Sequence, residues 1–182
     1  MRIISGRYRG LKLNEFAGND IRPTADRVKE SLFNILYDKV FGARVLDLFC
    51  GSGNLGIECL SRGAASVDFN DISPQSVKVL RGNLARLKGE NIYTVTTGDY
   101  TAFLNNARGA YDLIFIDPPY ALDVGLTALK IIAERSLLTD GGVAVYERDR
   151  PFEGTICGLE AYDERKYGKT YLTFFRPAKT EE

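Results

Sequence analysis

Histidine is absent from the 182 residues, which removes the side chain that most often moves protons near neutral pH. Any catalysis must therefore rest on carboxylates, tyrosine or backbone groups. Cysteine is scarce. Cys50, Cys59 and Cys157 are odd in number and widely spaced, so neither a disulfide framework nor a zinc site is indicated, no metal is expected, and all three read as reduced thiols. No apolar run approaches the roughly 20 residues of a membrane-spanning helix, and the opening Met1-Arg2-Ile3-Ile4-Ser5-Gly6-Arg7 lacks the apolar core of a secretion signal. That pattern predicts a soluble cytoplasmic protein with no membrane partner. Net charge is lacking too, with 24 basic against 24 acidic residues, which taken alone argues against a polyanionic ligand. What is present is a 45% hydrophobic fraction, enough for the single core of one domain with a small appendage. No internal repeat, linker or low-complexity segment interrupts it.

The balanced charge is unevenly spread. Arg2, Arg7, Arg9 and Lys12 precede the first acid, Glu15, and Arg165, Lys166, Lys169, Arg176 and Lys179 gather near the other end. Two basic ends around a neutral-to-acidic middle fit a phosphate-gripping rim, with Arg7, Arg9 and Lys169 as candidate substrate contacts. They fit a solvated surface equally well. Gly168-Lys169-Thr170 resembles the end of a phosphate loop, but Asp163 stands where that loop needs its first glycine, and the resemblance is discarded.

After a strand-like opening, Arg22-Pro23-Thr24 precedes Val28, Leu32, Ile35, Leu36 and Val40 at helical spacing, with Thr24 the expected cap. From Arg44 onward, short apolar runs alternate with amphipathic segments, as in a parallel sheet covered by helices. The expected strands are 45–49, 67–70, 92–96, 113–116 and 143–146. Helices are expected from Leu55 to Gly63, from a Ser73 cap with Pro74 first and Val77, Leu80, Leu84 and Leu87 buried, and over 100–107 and 124–138. Residues 159–175 read as an antiparallel hairpin turning at Gly168.

Asp47 to Gly56 places a glycine-rich turn after the first strand, where glycine permits positive φ and close approach of a ligand to backbone. Gly51, Gly53 and Gly56 also match the dinucleotide fingerprint, with Asp71 twenty residues past the first, so the loop alone does not separate NAD from S-adenosylmethionine. Asp47 tilts the choice, because a carboxylate suits the cationic amino-acid end of S-adenosylmethionine better than a pyrophosphate. Asp71 would take ribose hydroxyls, and Asp99 with Tyr100 the adenine. Each acid could instead cap the next helix. Phe49, Ser52 and Ile72 complete the candidate cofactor contacts beside Asp47, Gly51, Gly53, Asp71, Asp99, Tyr100 and Asp117.

The strand 113–116 runs into Asp117-Pro118-Pro119-Tyr120. Two prolines would stop a strand by themselves, without needing the flanking Asp and Tyr. An exocyclic base amine is a poor nucleophile, because its lone pair is delocalised into the ring. The Asp117 carboxylate and Pro118 carbonyl, held by the stiff Pro118-Pro119 turn, can each accept one N–H bond and turn that pair towards a methyl donor. Tyr120 would stack on the base. The four residues are the candidate catalytic set. The turn serves adenine-N6 and guanine-N2 alike, so an adenine methyltransferase on DNA or RNA stays open. An NAD-binding oxidoreductase or a non-catalytic RNA-binding module remains a more distant alternative.

With these residues in view, the sequence resembles the bacterial small-subunit ribosomal RNA guanine-N2 methyltransferase family known as RsmD. The likeness covers nearly the whole chain: residues 2–6, 9–13, 22–34, 47–56, 60–64 and 117–120, with Arg22-Pro23-Thr24 the discriminating piece. It implies a Rossmann-like class I S-adenosylmethionine-dependent fold: a mostly parallel seven-stranded sheet, a C-terminal antiparallel hairpin and a small N-terminal extension. Residues 1–22 would form that basic hairpin and 23–182 one methyltransferase domain. It further implies ribosomal RNA as substrate, presented in a small-subunit particle and acted on by a monomer. Thr24 becomes a candidate cofactor contact, and Arg22 and Arg27 candidate substrate contacts. Cys50 stands where the family commonly has alanine, and Asp71 where glutamate is more frequent.

Overall fold

A computed structural model describes residues 1–15, 23–89, 92–119 and 124–179, and only the backbone at 23–25. The alternation of apolar runs and amphipathic segments becomes α1 (Pro23–Ile35), β1 (Arg44–Asp47), α2 (Asn54–Ser61), β2 (Ser66–Asp71), α3 (Pro74–Leu84) and β3 (Tyr93–Thr97). It continues with α4 (Tyr100–Asn106), β4 (Tyr111–Ile116), α5 (Val124–Glu134), β5 (Leu138–Arg148), β6 (Leu159–Tyr167) and β7 (Thr170–Pro177). The seven strands form one sheet in the order β3-β2-β1-β4-β5-β7-β6. Strands β1 to β5 pair in parallel, and β7 is antiparallel to both β5 and β6. This is the Rossmann-like class I methyltransferase arrangement.

Strands β4 and β5 carry continuous apolar runs at 113–116 and 143–146, because helices cover both faces. Val45, Phe69, Leu113, Phe115, Val143 and Val145 point into one core with Leu32, Phe33, Ile57 and Leu80. Leu46, Leu48, Ile114, Ile116, Ala144 and Tyr146 point into the other, under α4 and α5. Helix α3 starts as its sequence dictates: the Ser73 side chain accepts from the Ser76 amide at 3.2 Å, and Pro74 occupies the first turn.

Several expected boundaries move. Helix α1 already includes Pro23, so Thr24 sits inside it and is not the cap, and it ends at Ile35, leaving Val40 in the turn that follows. Helix α2 ends at Ser61, short of Gly63. Helix α5 stops at Glu134, and Leu138 opens β5 beside Tyr111. Leu137 and Leu138 continue the helical spacing, but Ser136 at φ 50 breaks the turn before them.

Residues 1–13 fold back on themselves: Arg2 and Lys12 bridge antiparallel, Ile3 donates to Leu11 O at 3.0 Å and Leu13 to Met1 O at 2.9 Å. Ile3 and Leu13 enter the core shared with α1 and α2. Glu58, wholly buried on α2, anchors this segment. Its two oxygens accept from the Ile4 amide at 2.9 Å and the Ser5 amide at 3.0 Å, and they face Lys29 Nζ at 3.2 Å and Arg62 Nε at 2.9 Å. Lys29 also donates to Arg2 O at 2.6 Å and to Asn54 Oδ1 at 2.8 Å. A buried charge is tolerated when every oxygen and proton is matched in this way.

Candidate active site

Strand order reverses direction between β1 and β4, and in open α/β sheets ligands bind outside the carboxyl ends of strands at such a point. Asp47 ends β1, Asp71 ends β2, Asp117 follows β4, and Asp99 lies two residues past β3. The fold therefore gathers the acids that are scattered along the sequence.

The glycine loop is a backbone device. Gly51 has φ 53 and Gly53 φ 86, the latter as the residue preceding α2. At Gly51 a side-chain carbon would meet nothing within 4 Å, so its open face is available to a ligand. At Gly56 the same carbon would lie 2.2 Å from the Phe69 ring, so that glycine serves helix-to-sheet packing. Two carboxylates hold the loop from below. Asp71 Oδ2 accepts from the Gly51 amide at 2.9 Å, and its Oδ1 accepts from the Ser73 amide at 2.8 Å. A carboxylate has about four lone-pair sites, so two remain for ligand hydroxyls. Asp47, 2% exposed, accepts from the Gly56 amide at 2.9 Å. Burial raises its pKa to about 7, against the pull of that amide and with a push from Asp71. Ser52 is buried, and its carbonyl accepts from Asn83 Nδ2 at 2.9 Å.

Asp99 acts as the helix cap. Its Oδ1 accepts from the Thr101 and Ala102 amides at 2.9 and 3.2 Å and from the Thr101 hydroxyl, and these bonds hold its pKa down. Its neighbour Tyr100 meets Phe49 with ring centroids 5.3 Å apart, so two of the candidate apolar contacts form one surface. Ile72 stands 70% exposed just beyond Asp71. An isolated exposed side chain of this kind needs no partner.

Asp117 projects from the end of β4 on the same face as Phe115, with Pro118 buried behind it and Pro119 exposed. The residue as a whole keeps exposed surface, but burial of its carboxyl raises the pKa well above the carboxylate range, and the charges of Glu147 and Asp47 push it further up. Glu147 was not among the expected site residues. It lies on β5 directly after Tyr146, which pairs with Ile116, so it stands beside Asp117 on the neighbouring strand. Its signal was the one that exposed the others, an acid at the end of a central strand.

Asn70 was also missed. Buried at 1% exposure, it donates to Leu48 O at 3.3 Å and Gly98 O at 3.2 Å, tying together the ends of β1, β2 and β3. Its Oδ1 has no partner among the described residues. Nothing in the sequence separates this asparagine from a polar strand end.

The remaining candidates divide. Arg27 is exposed on α1. Lys169 sits in the β6–β7 turn, and because Arg148 pairs with Tyr171, that turn lies at the same sheet edge as Asp117. Arg7 and Arg9 lie elsewhere: the Arg7 amide donates to Ser61 O at 2.7 Å, which puts them at the far end of α2 from the glycine loop. Arg22 and Tyr120 fall outside the described residues, as does the side chain of Thr24. Cys50 and Cys59 are free thiols whose pKa burial raises, and Cys157 is free and exposed. Among the described residues no group of acids and cysteines could hold a metal ion, and no helix is long and apolar enough to cross a membrane.

Comparison with known proteins shows the family and supports the fold. The family model described as "Conserved hypothetical protein 95" matches residues 1–176. The ribosomal RNA small subunit methyltransferase D of Haemophilus influenzae is 35% identical over 83% of this chain and 81% of its own. YlbH of Bacillus subtilis is 36% identical over 97% of this chain and 98% of its own. The solved structure of yhhF from Escherichia coli superposes with a TM-score of 0.86 at 31% identity, covering 97% of each chain. The chain belongs to this family, that of the ribosomal RNA small subunit methyltransferase D proteins.

Proposed function

We propose that the protein transfers a methyl group from S-adenosylmethionine to the exocyclic N2 amine of a guanine in small-subunit (16S) ribosomal RNA. The observation that carries this reading is the placement of Asp117 and the Pro118-Pro119 turn one strand away from the glycine loop, at the point where strand order reverses. The Haemophilus influenzae relative, named as a small-subunit ribosomal RNA methyltransferase, supplies the substrate class.

The residues present fit the cofactor. Gly51 offers open backbone, Asp71 retains acceptor sites for ribose hydroxyls, and the Phe49–Tyr100 surface offers an apolar face to the adenine. The Asp47 carboxyl, buried below the loop, is suited when ionised to a cationic amino-acid group, directly or through a water. When bound, S-adenosylmethionine supplies an electrophilic methyl on a sulfonium, so that the C–S bond breaks as the C–N bond forms.

The chain's own residues do the rest. Asp117 and the Pro118 carbonyl accept the two amine N–H bonds and direct the nitrogen lone pair away from the ring. Pro119 stiffens the turn, and Tyr120 stacks on the base. After transfer the alkylated nitrogen is strongly acidic, and its proton passes to Asp117 or to solvent. Histidine is not required for any step. Arg27, Arg22 and Lys169 would hold the flanking RNA, with an assembling small-subunit particle as the presented substrate and a monomer as the acting form.

Incubating the protein with isotopically labelled S-adenosylmethionine and small-subunit RNA from cells lacking the gene, then digesting to nucleosides, tests this directly. Label in N2-methylguanosine is expected. Label in N6-methyladenosine would transfer the assignment to the adenine reading, and no label in either the free RNA or the particle would end it.

A further inference from the structure

A second feature of the molecule lies away from the strand ends. A groove of about 480 Å³ separates the turn of the N-terminal segment from the chain just past α3, and its walls carry Arg7, Tyr8, Arg9 and Leu11 on one side and Arg86 and Lys88 on the other. Four of these six side chains are cations, and none of the described lining residues is a carboxylate.

The groove is rigidly built. The Arg7 amide donates to Ser61 O at 2.7 Å and the Tyr8 amide to Ser61 Oγ at 2.9 Å. Gly6, at φ +83, approaches the same carbonyl so closely that a side-chain carbon would lie 1.9 Å from it. Across the groove the Tyr8 hydroxyl donates to Lys88 O at 2.5 Å, and the Arg86 guanidinium donates to Lys12 O. Arg7 stands 5.7 Å from the centroid of the Tyr8 ring. The cationic walls are thus braced mainly through backbone groups, which leaves their charge in place.

Like charges confined to one groove repel, and an extended anion relieves that repulsion. Cations on two separate segments suit a chain of phosphates better than a single one, and the Tyr8 and Leu11 surfaces provide an apolar floor for sugar or base. The Arg7–Tyr8 wall is held on Ser61, seven helical steps from Asn54 beside the glycine loop, or roughly 10 Å at ~1.5 Å per residue. That separation is about three steps of a nucleic-acid strand at ~3.4 Å each. The nucleotide whose base lies against Asp117 cannot also fill this groove.

We propose that the groove is a second RNA site, which grips the phosphodiester backbone of a ribosomal RNA segment separate from the methylated nucleotide. The proposal rests on the RNA-modifying reading above. It makes substrate choice a two-point measurement, one point at the base and one at a backbone a fixed distance away.

The test uses the full-length protein, naked small-subunit ribosomal RNA and the small-subunit particle. The Arg86→Gln/Lys88→Gln double variant should raise KM for RNA several-fold and flatten the dependence of log affinity on log salt by about two, at ~0.9 per lost phosphate contact. Its kcat at saturating RNA and its affinity for S-adenosylmethionine should match the parent. Arg86→Lys/Lys88→Arg, which keeps the charges, should restore the parental slope. If the double variant melts early, Lys88→Gln alone should still flatten the slope by about one. An unchanged slope and KM overturn the proposal. Weakened binding to the particle with unchanged binding to naked RNA also overturns it, since the groove would then dock a ribosomal protein. The two readings fail separately: a groove-dependent salt slope without methyl transfer removes the activity, whereas methyl transfer with a groove-independent slope removes the second site.

Discussion

Burial opposes the ionisation of Asp117, and two further carboxylates, Glu147 alongside and Asp47 below, add to that opposition. An amine acceptor must be ionised to do its work, so kcat/KM should climb with pH and level off only above the raised pKa of Asp117. Glu147→Gln removes one opposing charge and should shift that rising limb to lower pH. Asp117→Ala should slow transfer by roughly 100-fold or more, the scale of one oriented acceptor, while S-adenosylmethionine still binds. A pH profile that Glu147→Gln leaves unmoved would detach Glu147 from the site. Asp47 yields a second prediction. Its pKa in the folded protein, about 7, exceeds the ordinary value of 3.8, so folding favours the protonated form. The associated stability is fully present below pH 4 and is lost as pH rises through 7. Asp47→Asn should therefore raise Tm at pH 8, with no gain at pH 4, and should weaken S-adenosylmethionine binding at pH 8. A variant that binds the cofactor normally at pH 8 would show that Asp47 only holds the loop. Asp117 and Asp47 were both legible in the sequence because each sits beside an unusual motif. Glu147 and Asn70 were not, since their roles depend on which strand lies next to which, and strand order is not a local property.

At the scale of elements, a buried pair ties helix α1 and the N-terminal segment to the start of α2 beside the glycine loop. Lys29, 2% exposed, touches Glu58, the Arg2 carbonyl and Asn54, the first residue of α2. Burial lowers the Lys29 pKa, while Glu58 pulls it back up. Lys29→Met would leave the Glu58 charge buried with its amide and Arg62 partners only, and should cost about 3 kcal/mol in chemical denaturation, the low end for breaking a buried pair. It should also loosen amide protection at Ile4 and Ser5. A loss under about 0.5 kcal/mol would mean that the remaining donors suffice. Lys29 and Glu58 lie in segments whose helical spacing was evident, but the spacing says nothing about charge placed on the buried face. The elements themselves were readable because their apolar periods are clean, as in β1, β4 and α3. The ends were less so: at α5, apolar spacing continued through Leu137 and Leu138 past the actual break at Ser136, because a residue in a left-handed turn leaves no mark on hydrophobic pattern.

On the scale of the whole molecule, a sheet of reversed strand order collects acids at one edge, while the cationic groove formed by the N-terminal turn and the end of α3 lies at the far end of α2. Net neutrality conceals this division, and composition alone argued against a polyanion for that reason. The fold class followed from alternation and from the family resemblance. The remoteness of Arg7 and Arg9 from the loop did not, since only the docking of the N-terminal turn on Ser61 sets it. The crystal structure of the protein with S-adenosylmethionine bound would test the central geometry most directly. Reacting atoms about 3–3.5 Å apart and an amine–carboxylate bond of about 3 Å together require the transferable methyl carbon to lie within about 6 Å of the Asp117 carboxylate, on the open side of Gly51. A methyl carbon well beyond that reach, or separated from Asp117 by protein, would contradict the proposed transfer.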